Sequence, residues 1–223
     1  MATCATRITW VTAAISALEM VQWMTAARGI IHSEMPQQSA GRMRGFQLWL
    51  NLPSKEKMKP AHYRDVAADE IPLINLPQGG EVKVIAGTLN LSGKATSGPV
   101  NNGNAKLSTD PLYLDVRLPP GAQFSAPIGT GRNAFLYAYE GSAEIGTGAA
   151  AKRLLHRAAG ILSDGDVVRV QAGAEGARFL LLAANPLHEP VVQYGPFVMN
   201  TREEIEQALA DYRSGHFAAA GRG

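Results

Sequence analysis

Leu112-Tyr113-Leu114-Asp115-Val116-Arg117-Leu118-Pro119-Pro120-Gly121 decides the fold class. Leu112, Leu114, Val116 and Leu118 alternate with Tyr113, Asp115 and Arg117, so an extended chain carries one apolar and one polar face before the prolines force a turn. The same grammar repeats downstream. Ala134 to Glu140 reads as a strand, Gly141-Ser142 turns into Ala143 to Gly146, Leu162 to Asp166 punctuates before Val167 to Val170, and Ala177 to Ala183 closes the series. Short strands separated by Gly/Pro turns predict an all-β sandwich or barrel.

Outward from this stretch the pattern thins. Val82 to Gly87 is a strand, Ser92 to Thr109 is polar enough to predict a loop, and Pro72, Pro77 and Gly79-Gly80 mark a boundary between halves. Phe46, Leu48 and Leu50 alternate with Gln47, Trp49 and Asn51, which predicts a half-buried strand ended by Pro53. Ser54 to Pro60 is a charged connector, with His62 and Tyr63 behind it read as structural. At the other end, Thr201-Arg202-Glu203-Glu204 matches a capping box, and Ile205, Ala208, Leu209 and Tyr212 follow at helical spacing. One amphipathic helix therefore ends the fold, and the tail after His216 frays.

Composition bounds the function. The 223 residues carry a formal net charge of +2 with basic and acidic residues interspersed, so no basic stripe argues for direct nucleic-acid binding. A single cysteine, Cys4, cannot form an internal disulfide and fits a reducing, cytoplasmic setting. No apolar run is long enough for a membrane span.

Candidate chemistry sits in Gly29 to Met35. If that segment is a strand, His32 and Glu34 lie two apart and project together, and an imidazole beside a carboxylate is metal-ligand chemistry. His156 and His188 stand alone and are assigned no metal.

The words around that pair are specific. Gln22-Trp23-Met24-Thr25-Ala26, Arg28-Gly29-Ile30-Ile31-His32-Ser33-Glu34-Met35-Pro36, Phe46 to Pro53, Pro111 to Asp115, His188-Glu189-Pro190 and Gly195 to Thr201 resemble the pirin family, over Val21 to about Phe217. The resemblance implies two cupins of jelly-roll β-sandwich type. The organisation expected is a non-family segment at 1–20, a remnant of the N-terminal cupin at 21–76, the C-terminal cupin at 77–200, and a helix and tail at 201–223. It also implies Fe(II) in the first cupin, held by three histidines and a glutamate. Two of those histidines belong to a His-x-His upstream, which this chain lacks. His32 and Glu34 alone match the family's ligands, so iron is expected to be absent or weakly held, because water competes for the open positions.

In the intact family form, the resemblance implies quercetin 2,3-dioxygenase activity. There His32 would be a pure ligand, and Glu34 both ligand and candidate catalytic base for a flavonol hydroxyl. The expectation is a pirin-like protein whose dioxygenase centre is half present and inactive. The alternative, from another class, is a non-catalytic regulator that presents its surface to a protein partner.

Residues 1–20 do not resemble the family; three readings compete, and the expectation is the third, a frame-shifted start joined to the family frame near Val21 with the first half of the N-terminal cupin lost upstream. A signal peptide has one arginine and an apolar run diluted by threonines; an amphipathic helix is opposed by its β-branched residues. The third is a shifted reading frame. One choice of codons for Thr9 to Met20, read from its third base, gives Met-Gly-Asn-Gly-Gly-Asp-Ile-Gly-Ala-Gly-Asp, similar to pirins just ahead of Gln22. Upstream DNA without a His-x-His in that frame would end this reading.

Overall fold

A computed structural model describes residues 20–32, 44–102 and 107–217. In chain order the elements are β1 (Val21–Thr25), α1 (Ser54–Lys57), β2 (His62–Val66), β3 (Leu73–Asn75), β4 (Glu81–Ala86), β5 (Thr88–Leu91), β6 (Lys94–Ser97) and β7 (Leu112–Leu118). There follow β8 (Gln123–Pro127), β9 (Asn133–Ile145), β10 (Lys152–Leu154), β11 (Ala158–Ile161), β12 (Val167–Ala184), β13 (Val192–Tyr194), β14 (Phe197–Met199) and α2 (Arg202–Ser214). The fold is all-β with one short C-terminal helix, and it divides into two compact units: residues 1–68 with 187–223, and residues 69–186.

The second unit is an antiparallel sandwich. Its main sheet runs β10-β9-β12-β7-β4-β3, with β11 also on β9 and β8 also on β12. Alternation in β7 is realised residue by residue: Leu112, Leu114, Val116 and Leu118 are buried, whereas Tyr113, Asp115 and Arg117 face the other way. Two long strands join the layers. The first part of β12 pairs with β8 and its later part with β7, and a register irregularity lies between Ala172 and Ala177. Gly141 and Gly176 form that corner with φ of 64° and 79°. A Cβ on Gly141 would overlap the Gly176 carbonyl and one on Gly176 the Leu118 carbonyl, so backbone approaches backbone here only because these positions are glycine. Inside lie Phe179 and Phe124, edge to face at 6.1 Å, with Leu114, Leu136, Leu181, Val82, Val84 and Val116. Each fully buried side chain of this size contributes about 1.5–3 kcal/mol.

Five sequence expectations change. Asn133–Ile145 is one strand with Gly141 inside it, not two strands and a turn, and Val167–Ala184 is likewise continuous. The expected loop at Ser92 to Thr109 contains part of a hairpin, β5–β6, whose turn residues Ser92 and Gly93 both have positive φ. Gly29 to His32 is not in a strand, and neither are residues 44–53, where Phe46, Trp49 and Leu50 are exposed. A strand exists only when a neighbour takes its N–H and C=O groups. Among the described residues the first unit offers two ladders, β1–β2 and β13–β14.

The first unit is knitted by polar groups. Thr201 caps α2 through the expected box: the Glu204 N–H donates to Thr201 Oγ1 at 3.2 Å, and Glu204 Oε2 accepts from the Thr201 N–H at 3.0 Å. Gly215, in the left-handed region, closes the helix. Residues 1–19 and 218–223, on which the N-terminal and tail readings fall, lie outside the described residues.

Candidate functional site

His32 ends a short irregular segment that leaves β1 through a tight turn. Ala27 has positive φ, the Gly29 N–H donates to Ala26 O at 2.8 Å, and the Arg28 N–H donates to Lys59 O at 3.2 Å. The His32 side chain is half-buried; His62, His156, His188 and His216 are exposed. Glu34 lies outside the described residues, so the expected projection of His32 and Glu34 from one strand face is carried only as far as His32. His62 pairs with Thr25 at the end of the β1–β2 ladder.

Among the described residues no three His, Cys, Asp or Glu side chains gather where they could hold a metal. The five histidines of the sequence include no His-x-His pair. One imidazole and one carboxylate do not close a shell around a divalent ion. Among the described residues, His32 is joined by no set of donors that would complete a four-donor iron centre.

The second unit holds a polar constellation that sequence reading passed over. On the face of the sheet opposite its core, Tyr139 donates its hydroxyl to Asp115 Oδ1 at 2.6 Å, and the Arg178 guanidinium lies 5.9 Å from the Tyr139 ring centre. Arg178 Nη1 is 3.5 Å from Glu140 Oε2. Burial and the Asp115 charge push the Tyr113 phenol up to about 12, and burial, that charge and its own hydrogen bond displace Tyr139 further in the same direction. Both phenols are therefore donors at neutral pH. The signal was present in the sequence, since Tyr113 and Asp115 occupy the polar positions of the β7 alternation. At one end of this unit an open depression of about 520 Å³ is lined by the Arg117–Glu81 and Arg178–Glu140 pairs, Glu175 and three glycines. Partly solvated pairs of this kind contribute about 0–1 kcal/mol each.

A sandwich of this topology defines a cupin protein, and residues 113–218 match the family described as the pirin C-terminal cupin domain. Residues 12–50 match the pirin family itself, a match that begins ahead of Val21. The chain belongs to the pirin family. It is 48% identical over 199 residues to a Pseudomonas aeruginosa protein named "Putative quercetin 2,3-dioxygenase", covering 89% of this chain and 67% of that protein. It is 41% identical to pirin of Homo sapiens, covering 87% of this chain and 63% of the human protein. A crystal structure of quercetin 2,3-dioxygenase from Acinetobacter baumannii superposes with a TM-score of 0.72 at 31% identity, over 89% of this chain and 66% of that one. The chain spans about two thirds of the length of these relatives.

Proposed function

We propose that this chain is a pirin-type cupin protein that retains the His-x-Glu half of an iron centre, His32 and Glu34, and does not by itself sustain flavonol oxygenation. The donor count supports this reading: the sequence has no His-x-His, and His32 is the one described side chain that matches the family's ligands. In the complete centre Glu34 is the second donor and the candidate base. The reaction class and the flavonol substrate come from similarity to proteins named as quercetin 2,3-dioxygenases. A cytoplasmic setting belongs to the same reading and rests on the single cysteine. No helix among the described residues is long and apolar enough to cross a membrane.

The purified chain, loaded anaerobically with Fe(II) and desalted, tests this by elemental analysis and by oxygen uptake with quercetin. Substoichiometric metal and uptake no faster than free iron are expected. A tightly held, stoichiometric ion with turnover, abolished by His32→Ala, would overturn the reading.

A non-catalytic role through protein contacts is the second reading, favoured by apolar exposure in the first unit: Trp49 is 56% exposed, Met58 64% and Tyr194 63%. Metal-free protein that still engages a regulatory partner would support it.

A further inference from the structure

Residues 187–217 follow the last strand of the second unit yet fold with the first. Three fastenings hold this arm. Lys57 is only 5% exposed, and its ammonium donates to Val198 O at 2.9 Å and to Asn51 Oδ1 at 2.6 Å. The Glu189 carboxylate accepts from the Ser54 N–H at 2.7 Å and from Asn200 Nδ2 at 3.0 Å. The third fastening is apolar. The Phe217 ring lies against Gly29 so closely that a Cβ there would overlap ring carbons, and Gly29, at φ 134°, stands three residues before His32.

That ring is aimed, not trailing. After Gly215 reverses the chain, the N–H groups of His216 and Phe217 donate to Asp211 O at 2.9 and 3.1 Å. Phe217 then meets Phe197 edge to face at 5.3 Å and Tyr212 at 6.0 Å. The trio spans β14, α2 and the end of the described chain, and it delivers one apolar face to the turn from which His32 emerges. A buried ammonium opposes peeling of the arm, because losing Val198 O leaves the charge with Asn51 Oδ1 alone of these two acceptors.

We propose that the arm is a strap over the first unit and that Phe217 is a positioning residue for His32, acting through Gly29. Releasing the ring moves the turn and the imidazole while the second unit stays folded. The inference concerns where His32 is held and is independent of whether His32 binds a metal.

Hydrogen exchange by mass spectrometry and the imidazole resonances of the full chain, with His32 assigned through His32→Gln, test it in Phe217→Ala and Phe217→Tyr. In Phe217→Ala, exchange at residues 26–32 should rise by about tenfold or more and the His32 resonance should shift, while residues 112–118 and 167–184 keep their protection. Phe217→Tyr should restore both. Gly29→Ala, which displaces the ring from the other side, should reproduce the pattern if Phe217→Ala proves insoluble. An unmoved His32 resonance, or a loss of protection spread evenly over both units, would overturn the proposal.

Discussion

The two units are held together by different physics. In the second, eight of the nine largest fully buried side chains pack between the layers of one sandwich, and β9 and β12 have neighbours on both sides. In the first, Val66, Ile205 and Pro53 are the buried apolar side chains among the described residues, and each ladder has two strands. Two-stranded ladders are marginal alone. Their support comes from specific bonds: Lys57 to Val198, Ser54 to Glu189, the Thr201–Glu204 cap and the Phe197–Tyr212–Phe217 trio. Non-directional burial tolerates drift, whereas hydrogen bonds of this kind hold only while their geometry holds. The first unit should therefore open before the second.

The largest test of that difference is Phe179→Ala, which should cost about 3–5 kcal/mol by leaving a cavity against Phe124. Ile205→Ala should cost nearer 2 kcal/mol, because fewer apolar groups surround it. Both tryptophans among the described residues, Trp23 and Trp49, belong to the first unit. Tryptophan emission in a urea titration thus reports that unit, and circular dichroism reports both. Phe179→Ala should move the later transition and Ile205→Ala the earlier one; coincident transitions in the unsubstituted protein would break the comparison.

Alkaline pH should weaken the second unit next. Tyr113 releases its proton at about 12 when folded, against 10.0 for the free phenol, so the folded form holds the proton more tightly. Its contribution is fully present below pH 10 and is lost as pH rises through 12, a drop of roughly 2–3 kcal/mol. Tyr139 is displaced in the same direction, so Tyr113→Phe should remove part of the alkaline slope and leave the rest. Phenolate absorbance followed alongside circular dichroism separates ionisation from unfolding.

How much of this was legible depends on the range of the interaction. The β7 alternation and the Thr201–Glu204 box are complete within a few residues, and both form as the pattern reads. Gly141 was misread as a turn because a lone left-handed residue looks the same in a turn and in a bent strand; contact with Gly176 decides it. The alternation of Phe46, Leu48 and Leu50 announces a strand without announcing a neighbour. The arm's membership in the first unit could not be read locally at all, since Lys57 and Val198 are 141 residues apart. His32 was found through the words around it, whereas Tyr139 and Arg178 come beside Asp115 only through the pairing of β7, β12 and β9.

Gly141→Ala sharpens the corner argument. It must place a Cβ on the Gly176 carbonyl and hold alanine at φ 64°, which should cost about 1–3 kcal/mol. The loss should appear in the dichroism transition of the second unit and leave tryptophan emission where it was.

Thr201→Ala should have the smallest effect, about 1 kcal/mol, because it removes one acceptor at a helix start that water can partly replace. Its value lies in where the loss appears. The cap orients α2, α2 carries Tyr212 and Asp211, and those residues brace Phe217 and fix the chain reversal before it. Tryptophan emission should therefore shift to lower urea while the later transition stays fixed. Thr201→Ser, which keeps the accepting oxygen, should restore most of the loss. A shift of both transitions together would mean that the helix stabilises the whole chain, and the separation of the two units would then be one of geometry and not of energy.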